Sequence, residues 1–307
     1  MLRRFLALSR STHGVLDIAM PGFVALLWLG SFPSRGVLGL CLLTALAGYT
    51  AIYALNDLIG FKDDRAKVAG GLKPGYAVEA SALRYPLAQG LITMKGALAW
   101  FGFWFILAMI GVWLLNPWIM LILLGAALLE VLYVKLLRVT GWRTVVSGLV
   151  KAAGPLAAVL AVVPDPSVSG LALMLGWLMC WEIGGQNIPA DWNDIEEDRL
   201  LGARTIPLVL GTRAAAAIAA GLLLLATVLS LVLPTFSPLP SQLALQSIVL
   251  IAGCALLLWP SLRLMRSGEG RDAARLFDLA SLYPLALLVG ITVLVVFDAL
   301  QGSIIGG

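Results

Sequence analysis

The sequence predicts an all-α polytopic membrane protein, a bundle of about nine transmembrane helices with two cytoplasmic Asp-rich loops. Three observations predict it. First, 60% of the 307 residues are hydrophobic and only 12% are charged, with a mean hydropathy of +0.96. Soluble domains are nearer one quarter charged, and a soluble fold of this length could not hide so much apolar surface. Second, the apolar residues gather in runs of the roughly 20 residues that a hydrocarbon core requires. Third, Lys and Arg segregate to alternate loops, as the topology of inserted helices demands.

The elements follow in chain order. The start, "MLRRFLALSRSTH", is short, basic and amphipathic, and residues 1–13 read as an interfacial segment leading into one membrane domain that covers 1–307. Nine spans are expected at roughly 15–32, 36–56, 96–115, 117–135, 144–163, 168–188, 213–233, 244–262 and 278–299. Short Pro- and Asn-containing links such as "NPW", "VPDPS" and "PTFSPLPS" separate several of them. With nine spans, all of the 21 basic residues except Arg35 and Lys151 fall on one side or at its helix ends. A missed or invented span would scramble that pattern. The protein is therefore placed in the plasma or inner membrane. Its amino terminus and any site at the basic face are cytoplasmic, and the "QGSIIGG" tail lies outside. The net charge of +4 is a topology signal, and no nucleic-acid partner is expected. Cys41, Cys180 and Cys254 sit in apolar runs and read as packing residues, and a lone His13 excludes a multi-histidine metal site.

Two loops, about 57–95 and 189–212, open with acids at the same face. The first carries Asn56, Asp57, Asp63 and Asp64. Asp57 and Asp64 are two helical turns apart and share a face. The second places five acids between Asp191 and Asp198. If the sixth span continues as a helix, Asn187, Asp191, Asp194 and Asp198 form one stripe. Like charges on one face repel, and a hard cation such as Mg²⁺, which takes oxygen ligands from carboxylates, phosphate and water, relieves them. The bland alternative is a solvated helix end. Two such clusters on one side, each preceded by an Asn, argue for a site that holds a diphosphate through Mg²⁺. Lys151 lies about two turns into the fifth span, where charge is costly; it either contacts phosphate or snorkels to the interface. Asp17, Glu130 and Glu182 are further intramembrane acids, each expected to pair with a buried cation or line a polar cavity.

These motifs resemble those of the UbiA superfamily of intramembrane prenyltransferases. The family's Asn-Asp-x-x-Asp-x-x-x-Asp signature is matched by Asn56, Asp57 and Asp64, with Gly60 where the middle Asp belongs and Asp63 as the neighbouring carboxylate. Its Asp-x-x-x-Asp signature is matched by Asp194 and Asp198, followed by Arg199, Gly202, Arg204, Thr205, Pro207 and Gly211. "YPLAQGLIT" resembles the family's RPLxSGxIS text, with Tyr85 in the Arg position. "YVKLLRVT" keeps Tyr133, Arg138 and Thr140, with Leu137 replacing a Lys.

The resemblance implies a nine-helix fold and transfer of a prenyl group from a polyprenyl diphosphate to a small acceptor, aromatic and quinone-precursor-like or else a lipid. It implies Mg²⁺ as cofactor and diphosphate as the leaving group. Asp57, Asp64, Asp194 and Asp198 are then the metal ligands. Asn56, Arg65, Arg84, Tyr133, Lys135 and Asn187 bind substrate, and Asp191, Lys151 and Arg138 are catalytic. Asp191 either activates the acceptor or adds a third metal-side oxygen. The competing class is an ion-coupled transporter, whose acids should lie near the bilayer midplane. Here they crowd at one interface.

Overall fold

The computed structural model describes residues 1–71 and 83–305, with side chains as far as Gln301. Lys73 and the last two glycines of the tail fall outside the described residues.

Runs of Leu, Ala, Val and Ile in hydrocarbon must satisfy their backbone within the segment, so they form helices. α1 (Leu2–Leu8) and α2 (Ser11–Asp17) are separated by a break at Arg10, whose φ is +45°. α3 (Ala19–Leu29) completes the first crossing. α4 (Arg35–Ala69), α5 (Met94–Leu115), α6 (Ile119–Lys135) and α7 (Arg143–Val162) follow. α8 (Val168–Trp181) passes into a π-helical segment (Glu182–Asn187) and then into the short α9 (Ile188–Asn193) and α10 (Ile195–Leu201). After α11 (Ile206–Leu210) come α12 (Thr212–Val232), α13 (Gln242–Gly253), α14 (Trp259–Ser267) and α15 (Gly270–Ile305). Among the described residues, nine helical stretches are long and apolar enough to cross a membrane, and their order is the expected one.

Two expectations are corrected. α4 runs on to Ala69, thirteen residues past the expected end, so Asp57 and Asp64 sit on a helix and not in a loop. The second acid cluster is likewise helical, carried by α9 and α10.

α8, α12, α13 and α15 enclose most of the core with α3, around Trp177, Trp181, Tyr283 and Phe23. α4 packs on α5, α6 on α7, and α3 on α7 and α15. α4 and α7 meet only sparsely, and a cavity opens between them. Leu128, Ile106, Phe103 and Val293 lie exposed on helix flanks, as a lipid-facing surface requires. Exposed Trp113 and Trp118 mark one end of the bundle, and Trp142 and Trp259 the other, as interfacial belts do. α1 is held to the α4–α5 end: Leu8 is fully buried with Ala54, Leu87 and Ala97, and Phe5 stacks on Trp100.

Candidate active site

The cavity has a volume of about 870 Å³. α4 turns one face into it: Tyr53, Asn56, Asp57, Gly60, Asp64 and Lys67 recur at helical spacing and all line it. The opposite wall is built by a change of helical pitch. In the π segment, a Cβ on Gly184 would lie 2.9 Å from the Ala219 carbonyl oxygen, and one on Gly185 would lie 2.8 Å from the Ala280 Cβ. Only glycine admits α12 and α15 that closely. Pro189 then lacks the N–H that would continue the ladder. The chain breaks again at Asp194, between α9 and α10. The expected unbroken stripe from Asn187 to Asp198 is therefore corrected to three short pieces, yet Asn187, Asp191, Asp194 and Asp198 all still line the cavity.

Four cations interleave with these acids. Lys67 Nζ lies 2.8 Å from Asp198 Oδ1 and 3.3 Å from Asp194 Oδ2. Arg84 Nη2 donates to Asp194 Oδ1 at 2.6 Å, and its Nη1 donates to Glu197 Oε1 at 3.3 Å. Arg143 Nη2 donates to Asp191 Oδ1 at 2.5 Å and stacks over the Tyr133 ring. Arg10 Nη2 reaches Asn56 Oδ1 at 3.3 Å and Asp57 Oδ1 at 3.5 Å. Burial would raise the Asp194 carboxyl, but the charges of Lys67 and Arg84 outweigh it and hold it below its ordinary range. Asp198 goes the other way: burial pushes it up against the pull of Lys67, with the Asp194 charge adding to the rise. Burial likewise lifts the Tyr85 hydroxyl. Tyr85 adopts a φ of +56°, unusual for a bulky residue, which sets its hydroxyl to accept from Arg84 Nη2 at 3.0 Å.

Of the expected site residues, the cavity brings together Asn56, Asp57, Asp64, Arg84, Tyr133, Lys151, Asn187, Asp191, Asp194 and Asp198. Arg65, Lys135 and Arg138 are exposed and do not line it. Arg138 instead bonds the cavity-lining Asp63. Leu137 lines the wall, and its carbonyl receives the Arg204 N–H at 2.8 Å, which docks the strand-like link before α11. The cavity also draws in Lys67, Arg143 and Arg10, which the sequence marks only as charges of the basic face. The signal for Lys67 was its place three residues after Asp64 on the same face. Arg143 stands two turns before Lys151 on α7. Arg10 gave no local signal.

Among the described residues, no three acidic, His or Cys side chains converge as a self-sufficient metal cage. Asp57 with Asp64, and Asp194 with Asp198, supply two carboxylates each, and the buried Asn187 Oδ1 has no hydrogen-bond partner among the described residues. An all-oxygen set that is sparse in protein ligands suits a hard cation completed by phosphate and water. Below it the walls turn apolar, with Leu38, Ala45, Ile119 and Ala157 lining the far part.

Membrane-length helices thus surround a charged cradle that opens onto an apolar shaft. A sequence model of the UbiA prenyltransferase family matches residues 18–291, and the chain belongs to that family, whose members are intramembrane prenyltransferases. The fold is similar to that of a UbiA homologue from Aeropyrum pernix K1 in its apo form, with a TM-score of 0.71 and 18% identity, covering 92% of this chain and 97% of that one. A UbiA homologue from Archaeoglobus fulgidus bound to GPP and Mg²⁺ gives a TM-score of 0.67 and 15% identity over 94% and 99% of the two chains. A structure described as digeranylgeranylglyceryl phosphate synthase in membranes gives 0.64 and 18% over 94% and 98%. At these identities the likeness speaks for the fold. No curated protein matches the chain.

Proposed function

We propose that this protein transfers a prenyl group from an isoprenyl diphosphate to a small, quinone-precursor-like aromatic acceptor, with Mg²⁺ as cofactor and diphosphate as the second product. One observation carries the reading: two acid pairs from separate helices meet at one end of a single cavity, with Lys and Arg between them and an apolar shaft beyond. The Archaeoglobus relative bound to GPP and Mg²⁺ supports it by analogy.

Asp57 and Asp64 on one wall and Asp194 and Asp198 on the other would hold the metal. When bound, Mg²⁺ supplies Lewis-acid stabilisation of the departing diphosphate. Arg84 and Lys67 are placed to trade their carboxylate contacts for phosphate oxygens. Asn56 and Asn187 orient the group at the cradle floor, the latter tied to the Tyr133 hydroxyl at 3.0 Å. Past Lys151 and Glu182 the walls are apolar and keep water from the prenyl tail, so that the allylic cation meets the acceptor first. Asp191, anchored through Oδ1 by Arg143, takes the proton that the acceptor loses. Arg138 acts at one remove, by holding Asp63. The site faces the cytoplasm of a plasma or inner membrane, with the amino terminus on that side and the carboxyl terminus outside. Residues 1–13 lie along the interface, and the chain forms one domain. The distribution of Lys and Arg supports this orientation.

The test uses purified protein in nanodiscs with Mg²⁺, geranyl to longer prenyl diphosphates, and hydroxylated aromatics beside a glycerol-phosphate lipid, with products read by mass spectrometry. Asp57→Ala and Asp198→Ala should each lower product formation by at least about 10²-fold, the scale of losing one preorganised electrostatic contact. Equal product from either variant would remove the site assignment. Product with the lipid alone would replace the aromatic acceptor.

A further inference from the structure

A second polar cluster lies deeper in the cavity. Eight residues along α7 from Arg143, about 12 Å at the helical rise, Lys151 Nζ donates to Asp17 Oδ2 at 2.7 Å. Tyr53 donates to the same oxygen, and His13 Nε2 lies 3.6 Å from the other. Asp17 is thus engaged through both oxygens, and Glu182 shares Lys151 with it at a longer distance. Ser147 Oγ donates to Glu182 Oε1 at 2.8 Å, while Oε2 has no hydrogen-bond partner among the described residues and lies 3.9 Å from Lys151 Nζ. The Glu182 side chain is 8% exposed and lines the cavity. A carboxylate oxygen buried among membrane helices without a donor is costly. Glu182 also opens the π segment, a distortion that accumulates at functional sites.

We propose that Glu182, Lys151 and Ser147 form a second subsite, below the diphosphate cradle, that receives a hydroxyl of the prenyl acceptor. Glu182 Oε2 accepts a hydrogen bond from that O–H, and Lys151 donates to its oxygen. The helical rise sets the backbones of Lys151 and Arg143 about 12 Å apart along one cavity wall, and the acceptor ring lies between the two levels with its reacting carbon toward Asp191. The ligand class is therefore an aromatic ring with a hydroxyl on the side remote from the new bond. The inference rests on the prenyl-transfer reading.

The test is equilibrium binding in nanodiscs loaded with Mg²⁺ and a non-ionising geranyl thiolodiphosphate. The probes are hydroquinone and its dimethyl ether, which differ in O–H donors. The quantity read is the affinity ratio of the two. Glu182→Leu should reduce the wild-type ratio at least ten-fold. Glu182→Gln, which keeps the shape and one accepting oxygen, should reduce it by a smaller factor. A purely structural Glu182 would leave the ratio unchanged in both variants, and that result overturns the subsite. If Glu182→Leu fails to bind the donor analogue, the Gln variant decides alone: an unchanged ratio overturns, a lowered one supports. If the wild-type protein binds no donor analogue, the prenyl-transfer reading itself fails, and that is visible before any acceptor is added.

Discussion

Lys67 neutralises two carboxylates that burial alone would leave uncompensated. It is itself buried and sits between Asp194 and Asp198. Removing it acts unequally. Asp194 keeps Arg84, whereas Asp198 loses its nearest cation. The Asp198 carboxyl, already raised by burial, should rise further in Lys67→Met. A carboxyl whose folded value exceeds its unfolded value favours folding when protonated, so stability grows as pH falls toward that raised value. Lys67→Met should therefore gain more in melting temperature than wild type on going from pH 8 to pH 5. Parallel pH profiles for the two proteins would show that Lys67 does not set the charge state of Asp198. The acids themselves were legible in the sequence as residue types at helical spacing. Of their protein cations, Arg84 was legible through the family resemblance and Lys67 was not; both reach Asp194 across more than a hundred residues, and no local spacing encodes that contact.

At the scale of the element, hydropathy found the spans but stopped short at several ends, α4 and α15 above all. It reports where a helix meets hydrocarbon, and α4 continues beyond it because its polar face packs on α10 through Lys67. The π segment left only a faint trace, the Gly184–Gly185 pair followed by Pro189. Its register depends on how closely α12 and α15 approach, which is a tertiary property. That dependence is testable. A Cβ on Gly184 would meet a backbone carbonyl, which cannot swing aside as a flexible side chain would. Gly184→Ala should cost about 1–3 kcal/mol, the usual penalty of overpacking, and lower the unfolding midpoint in detergent. Gly221→Ala, on α12 with open space around its Cβ position, serves as the control and should be neutral or mildly stabilising. Equal midpoints for the two variants would mean the π segment has slack.

For the whole molecule, the sparse meeting of α4 and α7 leaves a shaft that runs from the cradle to the other end of the bundle. Asp57 and Leu38 both line it and are nineteen residues apart on one continuous helix, about 28 Å at the helical rise. On the facing wall, Ala153, Ala157 and Ala161 keep it wide, because small side chains on α7 leave volume that larger ones would fill, while Gly154 admits the Tyr49 ring from α4. A geranyl tail would occupy only the upper part of such a shaft and leave the lower walls without contacts, which forfeits both hydrophobic and dispersion energy. Longer prenyl diphosphates should therefore give the higher kcat/KM, since binding energy from remote parts of a substrate helps to hold its reacting end. Ala157→Phe obstructs the shaft below Lys151 without touching the cradle. It should lower kcat/KM for the longest accepted donor on the order of ten-fold, about 1.4 kcal/mol, and leave geranyl transfer within about two-fold of wild type. Chain-length profiles of the two proteins, measured with one acceptor at saturating Mg²⁺, read this directly. A chain-length profile unchanged in Ala157→Phe would place the tail outside the α4–α7 seam.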